Sequence, residues 1–394
     1  ELLLSNEREE RIREELSGSH SLDERLTLLS DHLSPALEGL EIPELRCGVE
    51  MALLDALAKR LRLPLSSLLN PRSTLSIRTH RLVTNQSEAI EAARRGYRAL
   101  KIKVGIKDHW VEELMEIARI RAILPEIEIR VDANRSWSAE LAYGFCIAAQ
   151  GFAISWVEEP CREHVEYHAL RDRLSSTRHA PLGVDESLSS MEDMMERGAE
   201  RALEEALSDR LISVLTLKPM MIGGLLKTAS IVLRAALAGK RVCITHTLGS
   251  CIERSAIAHL AAALKAELPE LASGLGGALE GDLSGALPEF GGELRLSTAS
   301  GLGLEFEMNQ LYDHSTTGRE YEASDLLWRS PADHERIPHP LVMAAWARPH
   351  HHAVTHEGRS TSFSELRVIT ECLAYHLRQG MRKLNPETDE QGTF

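Results

Sequence analysis

No apolar run in this chain approaches the roughly 20 residues that a membrane-spanning helix needs, and no signal-peptide pattern opens it. No membrane partner is therefore expected. A basic stripe is also missing. Lys and Arg number 45 against 59 Asp and Glu, for a net charge of −14. Phosphate backbones need clustered Lys and Arg, so no nucleic-acid partner is expected either. The six cysteines, Cys47, Cys146, Cys161, Cys243, Cys251 and Cys372, form no C-x-x-C pair. Most lie in apolar runs, as buried free thiols do. A reducing cytoplasm is the expected location, and a disulfide framework is not expected. No His/Cys set has zinc spacing.

What is present is enough chain for a full core: 394 residues, 43% of them hydrophobic. Residues 1–72 read as mostly helical, with apolar positions at helical spacing over 49–57. From Ser76 to about residue 275, strand-like apolar runs alternate with amphipathic stretches, for example 87–95, 109–123, 139–149 and 224–238. This α/β alternation predicts a parallel sheet covered by helices, and eight units predict closure into a (β/α) barrel. Residues 242–248 would form strand seven, and 273–278 would hold strand eight. The catalytic barrel with its closing segment is assigned to 73–308. Residues 309–338 read as a linker. Residues 339–394 form a short C-terminal extension, with an extended stretch at 353–356, a turn at Gly358 and a helix over 364–378.

Charged residues end the apolar runs. Lys101 and Lys103, Asp132, Glu158, Asp185 and Lys218 follow one another at intervals of roughly 26 to 33 residues, about one strand-helix unit. A barrel brings its strand C-termini to one mouth, so the series becomes a ring. The period-two alternation of a strand puts Lys101 and Lys103 on one face, the barrel interior. Burial and a neighbouring cation would each push a lysine pKa down, leaving Lys103 able to take a proton from carbon. Asp132, Glu158 and Asp185 each follow a valine. One such acid reads equally well as a helix N-cap. Three at consecutive strand ends point to hard oxygen ligands for Mg²⁺. Lys218, before Pro219, would face Lys103 across the mouth.

As a set, Lys101-x-Lys103, Asp132-Ala133-Asn134-Arg135, Glu158-Glu159-Pro160-Cys161, Asp185-Glu186-Ser187 and Leu217-Lys218-Pro219 resemble the enolase superfamily, muconate-lactonizing subgroup. Within it the motifs look most like the o-succinylbenzoate synthases. The segment 45–55 is similar to the helical part of that family's capping domain, and Gly301-Leu302-Gly303-Leu304 to its closing segment. The resemblance covers roughly residues 40–307. It implies a syn dehydration of a small carboxylate, 2-succinyl-6-hydroxy-2,4-cyclohexadiene-1-carboxylate, in menaquinone biosynthesis. Lys103 would remove the α-proton and return it to the departing hydroxyl, and Lys218 would stay cationic on the opposite face. Mg²⁺ on Asp132, Glu158 and Asp185 would hold the carboxylate. Lys101, Asn134, Arg130 and Ser250 are the expected substrate-binding or supporting residues, and Lys101 would depress the pKa of Lys103.

Two departures from that pattern stand out. Strand seven in the family often ends Leu-Glu-Ser-x-x-Gly-Arg, whereas here Gly249 stands where Glu is usual and Glu253 where Gly is usual. The strands and specificity loops of the capping domain are expected before Glu1, which leaves this a partial capping domain and the mouth open to water. In the C-terminal extension, Ala347-Arg348-Pro349, Ala353-Val354 and Gly358-Arg359 resemble the opening of acyl-adenylate-forming ligases. That resemblance implies fusion to, or association with, the o-succinylbenzoate-CoA ligase that follows in the same pathway. Rival readings are an N-succinylamino acid racemase or a muconate cycloisomerase of the same superfamily, and an inactive barrel module in a fusion protein.

Overall fold

The computed structural model describes residues 6–19, 21–107, 109–189, 198–276, 287–304, 352–356 and 359–362. The chain opens with helices α1 (Asn6–Gly18), α2 (Leu22–Leu37), α3 (Pro43–Leu61) and α4 (Leu65–Leu69). Ser21 starts α2 with a reciprocal capping box to Glu24. A short strand β1 (Ser76–Arg78) then precedes the repeating region. That region runs β2 (Arg81–Val83), α5 (Gln86–Arg94), β3 (Ala99–Lys103), α6 (Val111–Ile123), β4 (Glu128–Asp132), α7 (Ala139–Ala149), β5 (Ile154–Glu158) and α8 (His164–Leu174). It continues with β6 (Leu182–Val184), α9 (Glu186–Ser189), α10 (Ala199–Ser208), β7 (Ile212–Leu217), α11 (Pro219–Ile222), α12 (Leu225–Leu237), β8 (Arg241–Thr245), α13 (Cys251–Lys265) and β9 (Ala272–Gly274).

Strands β2 to β9 form one eight-stranded sheet in sequential order, parallel throughout. The ring is drawn together by bonds between the segment before β2 and β9: His80 N to Ser273 O at 3.3 Å, and Leu275 N to Thr79 Oγ1 at 2.7 Å. The expected α/β barrel is therefore the fold, with strand seven at 241–245 and strand eight at 272–274. Strands β10 (Glu289–Phe290) and β11 (Glu293–Arg295) make an antiparallel sheet with β1. A separate antiparallel hairpin pairs β12 (His352–His356) with β13 (Arg359–Ser362). The 309–338 linker, Gly358 and the 364–378 helix lie outside the described residues. Among the described residues no helix is long and apolar enough to cross a membrane. The five described cysteines are buried free thiols.

Two apolar cores flank the strands. One joins β2–β6 to helices α5–α8, through Ile117, Ile129, Val131 and Phe145. The other joins α1–α4 to the later half of the barrel, through Leu29, Leu54, Leu215, Leu225 and Ile257. A polar clasp crosses this second core. Glu50 on α3 accepts from Leu226 N at 3.0 Å at the start of α12. Gly224, the N-cap of α12, has φ +151°, and a Cβ there would meet the Glu50 carboxylate at 2.6 Å. One helix thus caps another from outside, supplying the acceptor that a glycine N-cap cannot.

Burial holds the Glu50 carboxyl up to about 7, with the Leu226 and Leu225 amides pulling it down. Between the ordinary carboxylate range and that value, the folded chain keeps a proton that the unfolded chain has released. Stability from this group therefore falls as pH rises through that window. Glu50→Gln is expected to flatten that segment of the stability curve, read as urea midpoints at about pH 5 and about pH 8. An unchanged slope would assign the titration elsewhere.

Candidate active site

The strand ends bring the sequence-predicted groups to one rim. Lys103 pairs with Asp132, and Asp132 with Glu158, across β3, β4 and β5. Asp132, Glu158 and Asp185 are all buried. Glu158 is held on every side. Its Oε2 accepts from Trp156 Nε1 at 3.1 Å and Thr216 Oγ1 at 2.9 Å, and its Oε1 from Lys101 Nζ at 2.7 Å. Asp132 takes Lys101 Nζ at 2.8 Å on Oδ2 and the Asn134 amide at 2.9 Å on Oδ1. Lys218 Nζ lies 2.6 Å from Asp185 Oδ2.

The charges respond to this crowding. Burial alone would lower the Lys101 pKa, but Glu158 and then Asp132 outweigh it and hold its ammonium above the usual range. Lys218 is raised in the same way, burial being overcome by Asp185. Burial pushes the Asp185 carboxyl well up despite Lys218. Lys101 reverses the effect of burial at Glu158 and leaves that carboxyl below its ordinary value.

One expectation needs correction here. Lys103 is exposed rather than buried, and among the described residues no ion pair forms at its amine. The ammonium of Lys101 is paired with Asp132 and Glu158. Both side chains leave the same strand face, but Lys103 stands one pleat nearer the rim, about 6–7 Å farther along the strand.

Arg130 is one of the residues expected to bind substrate or to support the site. It lies beneath the ring, in the barrel's fill, and not at the mouth. Its guanidinium donates to Glu128, to Ser273 O at 3.2 Å and to His80 Nδ1 at 2.8 Å, and stacks 4.8 Å from the Trp156 ring centroid. Burial, with Arg130 beside it, keeps His80 neutral and so able to accept. Asn134 is exposed, with φ +43°. Ser250 is the N-cap of α13 and makes no side-chain cap bond.

Glu159, the second acid of the Glu158-Glu159 pair and from the sequence expected to hold neighbouring structure, does so through the next strand's turn. Its Oε1 accepts from the amides of Asp185 and Ser187, each at 2.7 Å, and its Oε2 from Ser187 Oγ at 3.0 Å and Arg135 Nε at 3.2 Å. It fastens the β6 turn that carries Asp185. The doubled Glu158-Glu159 after β5 was the available signal, since the second acid must leave the barrel interior. Asn134, Arg135, Glu159 and Leu248 all have positive φ. They account for most of the non-glycine residues in that conformation among the described residues, and all follow barrel strands. Backbone strain of this kind gathers at functional rims.

The donor set suits a divalent cation: three buried carboxylates with hard oxygens, already attracting two ammoniums. They are turned toward those amines and not around a common point, and among the described residues no ready-made metal cluster stands. The positive charge in the ring is supplied by its own lysines, Lys101 and Lys218. A separate cavity of about 450 Å³ lies between α8 and α10, among His168, Arg171 and Asp209. No ring residue lines it, so cavity size does not locate this chemistry.

Fold and rim together define a (β/α) barrel whose C-terminal mouth carries acids and lysines on successive strands. Residues 85–310 match the family described as Enolase C-terminal domain-like. The chain belongs to that family and, through it, to the enolase superfamily. It is 27% identical over 240 residues to "Protein PHYLLO, chloroplastic" of Arabidopsis thaliana, covering 57% of this chain and 14% of that protein. It is 28% identical over 235 residues to Muconate cycloisomerase 1 of Pseudomonas putida, covering 52% and 60%. It is 28% identical over 177 residues to o-succinylbenzoate synthase of Yersinia pestis (strain Pestoides F), covering 44% and 50%. The chain thus spans 60% or less of the length of each of these relatives. The solved muconate lactonizing enzyme from Pseudomonas putida superposes with a TM-score of 0.60 at 24% identity, covering 77% of this chain and 85% of that one. That likeness is one of fold.

Proposed function

We propose that the chain catalyses the syn dehydration of 2-succinyl-6-hydroxy-2,4-cyclohexadiene-1-carboxylate to o-succinylbenzoate, as a Mg²⁺-dependent lyase of a reducing, cytoplasm-like compartment. The observation that carries this reading is the rim itself. A lysine with an exposed amine, Lys103, stands beside three buried acids, and Lys218 is anchored beside them by Asp185. The match to an o-succinylbenzoate synthase supports the choice of reaction.

Asp132, Glu158 and Asp185 would hold Mg²⁺, which supplies electrophilic stabilisation of the substrate carboxylate. Lys103, in its amine form, takes the proton α to that carboxylate, breaking the C–H bond. The resulting ammonium gives the proton to the hydroxyl on the same face, which leaves as water. Lys218 keeps its charge against Asp185 and adds positive potential to the developing anion. Thr216 and Trp156 fix Glu158, and Glu159 fixes the Asp185 turn. Residues 339–394 are read as the start of an acyl-adenylate-forming ligase acting next on the product.

A second reading, cycloisomerisation, is favoured by the longer match to muconate cycloisomerase. Turnover separates the two. Incubation of the chain with the cyclohexadiene-carboxylate and Mg²⁺ is expected to give o-succinylbenzoate, followed by its absorbance. Lactonisation of muconate without that product would replace the first reading by the second.

A further inference from the structure

Glu253 occupies the first turn of α13, where a glutamate usually reaches back to the N-cap amide. Here it reaches further. Its Oε1 accepts from Thr247 N at 2.9 Å and from Thr247 Oγ1 at 2.8 Å. The carboxylate also accepts from the Gly249 amide. Glu253 is only 5% exposed. Its two backbone donors flank a single residue, Leu248.

Leu248 is unusual on two counts. Its φ is +63°, in the left-handed region that leucine rarely adopts, and it is 67% exposed. The bond from the Gly249 amide fixes the peptide unit after it, and the two bonds from Thr247 anchor the residue before it. Glycine at 249 is a condition of this arrangement, because a Cβ there would collide with the Glu253 carboxylate. Gly249 and Glu253 are thus a matched pair: the space that a side chain at 249 would fill is taken by the carboxylate of 253. The loop follows the C-terminal end of β8, so Leu248 stands on the same rim as the acids and lysines. Those groups recognise charge and offer nothing to an apolar surface.

We propose that Glu253 is a positioning residue that holds Leu248 on the rim as the apolar contact for the part of the substrate remote from its reacting carboxylate. The proposal rests on the reading of the ring as the catalytic site. Its chemistry requires a substrate with a carboxylate at one end and a ring or hydrocarbon face at the other.

The test uses the full chain and three single variants. Leu248→Gly keeps the left-handed backbone without steric cost and removes the side chain. It is expected to raise KM about tenfold with kcat retained, the size of one lost leucine contact. Glu253→Ala is expected to raise KM similarly, and the double variant no further, because both act through one contact. Hydrogen exchange at the Thr247 and Gly249 amides should quicken in Glu253→Ala, stay slow in Leu248→Gly and largely recover in Glu253→Gln. An unchanged KM in Leu248→Gly, additive effects, or unaltered exchange in Glu253→Ala each overturn the proposal. If the wild type gives no dehydration, the functional reading fails and this one does not. The loss is then read as the Kd for o-succinylbenzoate by calorimetry, and an equal Kd in wild type and Leu248→Gly overturns it.

Discussion

Lys103→Ala is expected to lower kcat for dehydration by about 10²- to 10⁴-fold, the range for losing a positioned acid-base group, while leaving the barrel folded. Lys103 is exposed and contributes no described ion pair, so removing its amine leaves no buried charge behind. The effect should therefore fall on chemistry and not on stability. Lys218 responds differently. Its amine is 2.6 Å from Asp185, in the position of a fixed positive charge. Lys218→Arg keeps a cation that cannot serve as a base. Dehydration should then survive in part, whereas a two-base racemisation would stop. The two variants, assayed with the cyclohexadiene-carboxylate and with N-succinyl amino acids, separate the reactions. A Lys103→Ala protein that retains wild-type kcat removes Lys103 from the proton path.

Lys101→Met is the second large effect. Lys101 bridges Asp132 and Glu158 at 2.8 and 2.7 Å, with all three side chains largely shut from water. Removing one partner of a buried ion pair costs about 3–5 kcal/mol, because the stranded charge must be tolerated or neutralised. In chelator-treated buffer the variant should lose about that much stability in a urea titration. Millimolar Mg²⁺ should return most of it, since an ion that binds only the folded ring stabilises it by mass action. The wild type should show a smaller Mg²⁺ response, because its own ammonium must first give way. A Lys101→Met protein as stable as wild type without metal would show that the ring does not depend on that countercharge. The same titration with Asp185→Asn should show little Mg²⁺ response.

Much of the barrel was readable from period and spacing. Helices expected at 109–123, 139–149 and 224–238 lie at Val111–Ile123, Ala139–Ala149 and Leu225–Leu237. The strands ending at Lys103, Asp132 and Glu158 are where the apolar runs placed them. Regular alternation is a local property, so it survives without knowledge of contacts. Arg130 shows the converse limit. The sequence left it either a substrate-binding or a supporting residue, and could not say that its neighbours are Trp156, His80 and Cys243. Gly249 and Glu253 looked like two separate losses in the strand-seven motif. In three dimensions one carboxylate fills the space left by the other residue.

The sequence by itself determined the order of the groups, the chemical type at each strand end and the barrel that gathers them, because period and unit length are set by the backbone. Only the tertiary structure decided depth and partnership. Lys101 and Lys103 share a face, but a single pleat separates a half-buried lysine paired with two acids from one open at the rim. That difference comes from register across β3, β4 and β5 and from which carboxylates lie within reach, and neither is written in the spacing of the chain.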